Sequence, residues 1–400
     1  MPMPSHLKGV ILASLQRSLF ACAFILLLAC EPQEQPKNVV PLEVEETLTS
    51  PTLLISNEQA EILANNIWQQ GLAALEGNQA QAEKLNDAIG VLLENPNQKS
   101  LMAARKQWHL SFLEYQKLAP FLSIQADVAD ISSNNALNKL SEWRSVLAAW
   151  PLQPGYLDSY DVYLHSGIVN DISLPITVSH LRKQHGLTDS EEVTLGLHAI
   201  EFMLWANKSK TAAERFVKKT KVPLALAQSG LKQNELPNNR RRALLALQAQ
   251  LFQRDLTTLV SYWQPNGLFA SAFQQLKPLE KIVAIHNGLQ LSINTLHELL
   301  LNNGNKDNAD ALHLNAFAGK RQQAIIEALS VIQELYFSTD KSLMSAFFPD
   351  DKQQQFIALL ADIKKQINNE KNTNYTLAMN ALNQVMSLLS LHAIGAEQNG

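Results

Sequence analysis

The two side chains best suited to bind a metal ion stand three residues apart in an apolar stretch of the sequence. His198 and Glu201 lie between Val193 and Trp205, where Glu201 is the only acidic or basic residue apart from the histidine. Residues three apart project from one face of an α-helix, and a helix that is apolar on every side is buried. A buried carboxylate must be paired, protonated or bound to a metal. The pair therefore predicts either a metal site, in which both groups reach one cation, or a hydrogen-bonded pair that only fixes packing.

The helix that carries this pair is predicted to begin near Ser190. Residues 188–192 have the spacing of an N-terminal capping box, and their acidic side chains suit the positive end of the helix dipole. Gly196 lies inside this predicted helix, where a glycine costs roughly 1 kcal/mol relative to alanine. Its presence predicts that another backbone or a ligand comes close at that turn. Trp205 is predicted to lie next to the pair along the helix, where it would line the site.

Further oxygen ligands are expected from an irregular segment between Trp150 and Pro175. Its prolines and glycines interrupt the helical periodicity, and ordered segments of this length are often functional. Asp158 and Asp161 are candidate metal ligands or turn caps, and Tyr160 would either line the site or serve packing. Oxygen and imidazole ligands without sulfur suit iron or a related metal. We therefore expect a divalent or ferric ion, with iron favoured.

Other polar motifs are expected to have no role in the site. The histidines of residues 180–185 and the run Arg240-Arg241-Arg242 are predicted to be solvated. His297-Glu298 lacks the second histidine of an HExxH zinc motif, and no G-x-S-x-G motif occurs. A zinc peptidase needs about three protein ligands, an open position and a general base. The sequence therefore favours a binding protein over a metal-dependent peptidase.

The composition excludes two broad classes of protein. Of the 400 residues, 46% are hydrophobic and 18% are charged, which excludes a disordered chain. The net charge of −4 is too close to neutral for a protein built around phosphate neutralisation, so no nucleic acid is expected as a partner.

The first thirty residues have the pattern of a bacterial lipoprotein leader. Two basic residues precede an apolar run that ends in Leu27-Leu28-Ala29-Cys30, a lipobox sequence. We expect residues 1–29 to be a signal peptide, Cys30 to be lipidated, and residues 30–55 to form a flexible tether. Glu31 after the cysteine favours the periplasmic face of the outer membrane. The membrane is thus a predicted partner through the lipid anchor, and no later window is long and apolar enough to span it.

Helical periodicity from Ser56 onward predicts an all-α fold of two packed helical bundles. The bundles are predicted over residues 56–232, which include the His198 helix, and over residues 233–395. A capping box at Ser56 and Gln59 opens the first helix. The inner face of that helix is predicted to comprise Ile62, Leu63, Ile67 and Trp68. Further helices are predicted over residues 80–93, 99–118, 240–263, 278–301, 319–337, 353–369 and 374–392.

Three segments of the sequence together carry a resemblance to one protein family. They are Ala149–Asp158 (AWPLQPGYLD), Ser166–Asp171 (SGIVND) and Gly196–Glu201 (GLHAIE). In the imelysin family, similar segments read WPLdpgyiD, GiiND and GxHxxE, in the same order and with similar spacing. The resemblance extends over about residues 58–392.

The resemblance implies an exported, often lipid-anchored bacterial protein of two helical bundles, with the GxHxxE helix near their interface. It also implies iron-regulated, periplasmic binding of iron or another metal, and some family members are described as peptidases. Family members often carry a glutamate near the end of the early tryptophan helix. Here no acid stands at that end of the Trp108 helix, and Glu114, one turn earlier, is the candidate substitute.

The function expected from these observations is that of a lipid-anchored envelope protein that binds a metal ion or a metal complex. We expect a link to iron uptake, with an iron-transport partner that the sequence does not identify. A metal-dependent imelysin-type peptidase and a non-catalytic envelope scaffold are the alternatives.

Overall fold

The computed structural model of the chain describes residues 53–125, 136–153, 155–206, 209, 211–304, 318, 321–337, 342–368 and 374–390. The predicted signal peptide (1–29), Cys30 and most of the predicted tether (30–55) lie outside these ranges. The expectations for those segments therefore stay predictions.

The predicted all-α fold is confirmed, since the regular structure of the described residues is helical apart from one isolated bridge between Tyr160 and Tyr163. The α-helices are α1 (Asn57–Glu94), α2 (Gln98–Leu118), α3 (Leu140–Ala148), α4 (Val178–Gln184), α5 (Gly196–Trp205), α6 (Leu224–Gln228), α7 (Pro237–Trp263), α8 (Leu268–Gln274), α9 (Pro278–Gly304), α10 (Arg321–Phe337), α11 (Leu343–Phe347), α12 (Asp350–Ile367) and α13 (Tyr375–Leu388). Short 3-10 helices occur at Phe121–Ser123, Ala136–Lys139, Ala212–Phe216 and Gln233–Glu235. Within the described ranges, no helix combines the length and the apolar character needed to cross a membrane.

Helix α1 begins at the predicted capping box. The Gln59 N–H donates to Ser56 Oγ (3.3 Å), and the Ser56 N–H donates to Gln59 Oε1 (3.1 Å). Three of the four residues predicted for the inner face are buried, namely Leu63, Ile67 and Trp68. Ile62 is exposed instead, because a turn of about 100° per residue places it opposite the buried stripe.

Helix α1 is continuous from Asn57 to Glu94 and passes through Gly71, whereas the sequence pattern predicts two helices, the second over residues 80–93. The glycine provides room for side chains from other elements and does not end the helix. A Cβ atom at this position would lie 2.8 Å from Trp263 Cζ2 and 2.9 Å from Phe121 Cδ1. The two predicted helices are therefore one.

A reciprocal tryptophan contact joins α1 to α7. Trp68 Nε1 donates to Trp263 O (3.3 Å), Trp263 Nε1 donates to Trp68 O (3.1 Å), and the stacked rings have their centroids 3.9 Å apart. Helix α1 lies in the first predicted bundle and α7 in the second, so packing between described residues crosses the predicted boundary. The limits 56–232 and 233–395 stay a prediction.

A buried histidine connects the end of α13 to the core. His286 Nε2 lies 3.0 Å from Leu389 O, and His286 Nδ1 lies 3.1 Å from the hydroxyl of Tyr336. A carbonyl oxygen only accepts, so Nε2 carries the proton and Nδ1 accepts from the tyrosine. Burial lowers the pKa of His286 to about 4, although the hydrogen bond to Leu389 O acts in the opposite direction.

We expect the free energy of unfolding to fall on acidification because of His286. Its pKa is lower in the folded state than in the unfolded chain, so below the unfolded value the unfolded chain binds more protons and is favoured. The shift from 6.5 to about 4 corresponds to a loss of about 3 kcal/mol once the pH has fallen through this range. Urea unfolding at a series of pH values measures the effect.

The variant His286→Gln is the matched comparison, since an amide still offers a donor to Leu389 O but does not titrate. The variant should lose this part of the pH dependence, whatever its stability at neutral pH. A wild-type slope that persists in the variant would assign the effect to other groups.

Candidate functional site

Helix α5, which carries the predicted site, begins at Gly196 and not near Ser190 as predicted. The residues just before it are extended, and their backbone groups form hydrogen bonds with side chains from elsewhere in the chain. The Thr194 N–H donates to His185 Nδ1 (3.1 Å), and Gln248 Nε2 donates to Thr194 O (3.0 Å). Because these contacts satisfy the backbone groups, the chain can enter the core without being helical there.

The residues predicted to cap this helix form a turn ahead of it. Thr188 donates to the carboxylate of Glu192 through both its N–H (2.9 Å) and its hydroxyl (2.6 Å). The Glu191 N–H donates to Asp189 Oδ1 (2.8 Å). The Gln153 N–H donates to Glu191 O (2.9 Å), so this turn also fixes the start of the irregular segment.

Only a glycine fits at position 196 without strain. Its φ is +82°, and a Cβ atom there would lie 2.5 Å from Leu147 O at the end of α3. The close approach of a second backbone, which the sequence suggested, is therefore present.

His198 and Glu201 face each other inside the core. His198 Nδ1 lies 2.9 Å from Glu201 Oε2, and the two side chains are 4% and 2% exposed. Glu201 Oε1 accepts the N–H of Ala318 at 3.0 Å. Both carboxylate oxygens are thus bonded, and the imidazole is oriented through Nδ1. Nε2 is the ring atom through which His198 could reach a ligand.

Aromatic side chains hold α5 against α2. Trp108 Nε1 donates to Leu197 O (2.7 Å), and the centroids of the Phe112 and Trp108 rings lie 5.7 and 6.4 Å from that of His198. Trp205, which was expected near the pair, packs edge-on against Trp108 with centroids 5.3 Å apart. These contacts limit the orientations open to the imidazole.

His198 lines a cavity of about 310 Å³. This volume is near the lower end of the range for small-ligand sites. No aspartate or glutamate is found among the described residues that line it. The described lining includes Phe112, Arg144, Trp150, Thr295 and Ile332.

Asp158 lies in a buried cluster of charges, and the described lining of the His198 cavity does not include it. Arg215 Nη2 approaches Asp158 Oδ2 at 2.6 Å, and Arg241 binds both carboxylate oxygens, at 2.5 and 3.0 Å. Asn170 Nδ2 adds a hydrogen bond of 3.2 Å. Burial lowers the pKa of Arg215, and the neighbouring Arg241 acts in the same direction while Asp158 opposes it. Asp158 thus holds together the irregular segment, the Arg215 region and α7.

The remaining candidates are also spread over other parts of the fold. Glu114 forms an ion pair of 2.9 Å with Lys117 and is 20% exposed. The ring of Tyr160 packs against Phe202 of α5 with centroids 5.8 Å apart. Asp161 is exposed and has a φ of +48°. The described lining of the cavity includes none of Glu114, Tyr160 and Asp161.

The run Arg240-Arg241-Arg242 is not solvated, so that prediction is wrong. Arg240 and Arg241 are each only 6% exposed. The guanidinium of Arg240 donates to the carbonyl oxygens of Val169 (3.0 Å), Ile168 (2.5 Å), Asp171 (2.7 Å) and Leu174 (2.7 Å). The carbonyl groups of an irregular segment have no N–H donors of their own helix, so they must accept hydrogen bonds from other parts of the chain. The long non-helical stretch was itself the signal that such donors were needed.

His185 is likewise a structural residue and not a solvated one. Its Nε2 lies 2.9 Å from Ser145 O, while its Nδ1 accepts from the Thr194 N–H. Burial lowers the pKa of His185, which keeps it in the neutral form that this pair of bonds requires. His185 thereby joins the end of α3 to the start of α5.

Across the residues that the structure describes, no group of three or more His, Cys, Asp or Glu side chains is placed to hold a metal ion. The predicted core of the site, His198 with Glu201, is brought together, whereas Asp158 and Glu114 are engaged elsewhere.

A comparison with protein families identifies the group to which this chain is related. The model of the peptidase M75 family, Imelysin, matches residues 71–398. The chain belongs to the imelysin family. The three segments resembling that family are thus part of a match that covers most of the protein.

Two solved structures share this imelysin fold. One is a protein provisionally described as an iron-regulated protein A precursor, from Parabacteroides distasonis; it is 13% identical, with a TM-score of 0.57 over 85% of this chain and 96% of that chain. The other is an imelysin-like protein from Psychrobacter arcticum; it is 14% identical, with a TM-score of 0.56 over 84% of this chain and 95% of that chain. A search of curated proteins gave no match.

Gly196→Ala is expected to destabilise the protein more than Gly186→Ala. Both glycines have a positive φ, which strains an alanine by about 1 kcal/mol. Only Gly196 has the carbonyl of Leu147 in the place of a Cβ, which adds about 1–3 kcal/mol of overpacking, whereas no described atom lies within 4 Å at Gly186. Urea unfolding of the two variants measures the difference, and equal losses would contradict the close contact.

Asp158→Asn is expected to cost about 3 kcal/mol or more, because it leaves the buried Arg241 and the partly buried Arg215 without their counter-charge. Asp161→Asn is the control, since Asp161 is exposed and asparagine tolerates its positive φ. Thermal and urea unfolding compare the two. Similar stabilities of both variants would show that the charge cluster contributes little.

Proposed function

We propose that this imelysin-family protein is a lipid-anchored protein of the bacterial cell envelope that binds a metal ion, iron in preference, and takes part in iron uptake. The observation that carries the proposal is the buried His198–Glu201 pair, of which His198 lines a ligand-sized cavity. A histidine held by a carboxylate on one nitrogen and facing a cavity is the arrangement that metal-binding histidines use.

In this proposal the two residues have different roles. His198 binds the metal through Nε2, because Nδ1 is engaged by Glu201. Glu201 orients the ring and raises its basicity, since its own oxygens already bond His198 and the Ala318 N–H. The bound ion would supply positive charge next to a buried acid–imidazole pair.

The described residues fit a metal anchored by one histidine, and they do not supply a full set of protein ligands. The other coordination positions would be filled by water or by a molecule that enters the cavity with the ion. This favours a metal complex over a bare ion as the cargo, and it agrees with a protein that passes iron on to a transport partner.

Three further observations support the cellular part of the proposal. The lipobox that ends in Cys30 and the polar segment after it have the pattern of an anchored lipoprotein. Glu31 favours the periplasmic face of the outer membrane as the destination. The Parabacteroides distasonis relative is described as iron-regulated and as a precursor, which supports export and a link to iron.

A metal-dependent peptidase is the second candidate, because the family model that matches the chain carries a peptidase name. A peptidase would need a base that activates water beside the metal. Both oxygens of Glu201 are engaged, which favours binding over hydrolysis.

The metal proposal is tested on the full chain, purified from membranes in detergent, incubated with ferric citrate and desalted. Elemental analysis should find iron in stoichiometric amount in the wild type and none in His198→Ala. Glu201→Gln should weaken binding by about 10- to 100-fold, as expected when the group behind a metal-binding histidine is removed.

His165→Asn provides the control, because His165 is exposed and lies in a loop with positive φ that asparagine accepts. It should retain the iron of the wild type. Equal iron in the wild type and in His198→Ala would refute the proposal, and a lowered melting temperature as the sole effect would favour the scaffold. Chelator-sensitive cleavage of casein would favour the peptidase.

A further inference from the structure

The guanidinium of Arg144 stands at the wall of the His198 cavity, bonded to neutral groups. Its Nη1 donates to Ser123 Oγ (3.0 Å), and its Nη2 donates to Thr295 Oγ1 (2.9 Å). Hydroxyl oxygens accept these bonds but carry no negative charge. The planar fork of an arginine is matched best by a carboxylate or a phosphate.

The hydroxyls that hold Arg144 are themselves fixed. Ser123 is fully buried, and the Thr295 hydroxyl donates to Leu291 O (3.0 Å), so its lone pairs are left for the guanidinium. The side chain is thus tied between the 3-10 helix at Phe121–Ser123 and α9. A cation positioned in advance binds an anion with little further loss of side-chain entropy.

A second donor of the same cavity has no partner among the described residues. Trp150 lines the cavity, and its Nε1 is buried without a hydrogen bond. A buried N–H that is left unpaired is unfavourable, and native proteins rarely tolerate one without a reason. An acceptor on a bound molecule would satisfy it.

The rest of the described lining specifies what such a molecule can be. It contains one permanent cation, Arg144, and no acid, so a single negative charge is favoured over a neutral or positive ligand. Side chains such as Phe112, Leu296 and Ile332 make much of the wall apolar. A single guanidinium and an apolar wall suit a carboxylate with an apolar body better than a doubly charged phosphate.

We propose that this cavity binds a small organic carboxylate, with its carboxylate group on Arg144, the Trp150 N–H as a further donor, and its apolar part against Phe112 and Ile332. The inference goes beyond the metal proposal and does not depend on it. An organic acid could bind here with no metal at His198.

Calorimetric titration of the full chain in detergent and metal-free buffer tests the inference, with benzoate and 3-phenylpropanoate as probes. Their neutral amides, benzamide and 3-phenylpropanamide, have the same shape without the charge. At least one acid should bind with a Kd below about 10 mM and at least tenfold more tightly than its amide. No binding of either acid in this range, or equal binding of acid and amide, would overturn the inference.

Variants assign the binding to this cavity. Arg144→Gln should weaken acid binding about tenfold or more, and Trp150→Phe should weaken it several-fold while the ring is retained. Arg254→Gln, which removes an exposed arginine, should leave it unchanged. Melting temperatures show which variants are folded. If Arg144→Gln does not fold, Trp150→Phe decides, and acid binding that is unchanged in every folded cavity variant overturns the inference.

The outcome is separable from that of the iron experiment. Acid binding that requires Arg144 in a protein that takes up no iron supports this inference and refutes the metal proposal. Iron uptake that requires His198, in a protein that binds acid and amide equally, would support the metal proposal and refute this inference.

Discussion

The carboxylate of Glu201 has to be neutralised inside the core, and the organisation of the site follows from this requirement. The Glu201 side chain is 2% exposed and lies on an almost wholly buried helix, so solvent cannot stabilise its charge. The imidazole of His198 and the N–H of Ala318 supply the two bonds it needs. Both depend on the placement of α5, which the hydrogen bonds of Trp108 to Leu197 O and of Arg105 to Leu204 O fix from the side of α2.

A second buried network also contributes to the placement of α5. Arg240 and Arg241 bind the irregular segment through its carbonyl groups and through Asp158. The same segment contains Tyr156, whose hydroxyl donates to Gln184 O at the end of α4. His185, which follows Gln184 in the chain, accepts a hydrogen bond from the Thr194 N–H just before α5. Residues outside the described lining of the cavity thus help to determine where the His198 helix starts.

The fold class and the start of α1 could be predicted because they depend on local signals, such as the capping box at Ser56 and Gln59. The pairing of His198 with Glu201 was predictable too, since a spacing of three defines one face of any helix. The start of α5 could not be predicted in this way, because the partners that keep Thr194 extended come from other elements. The burial of Arg240 was missed for the same reason: its carbonyl partners lie about seventy residues away, and a run of arginines alone usually indicates solvent.

In the proposed function, His198 binds a metal inside the cavity through Nε2, the ring nitrogen that Glu201 does not engage. Anomalous diffraction at the iron edge, from crystals of the protein grown with ferric citrate, tests this most directly. We expect one strong peak inside the cavity, about 2 Å from His198 Nε2. A peak at any other histidine or carboxylate cluster, with none beside Nε2 of His198, would contradict it.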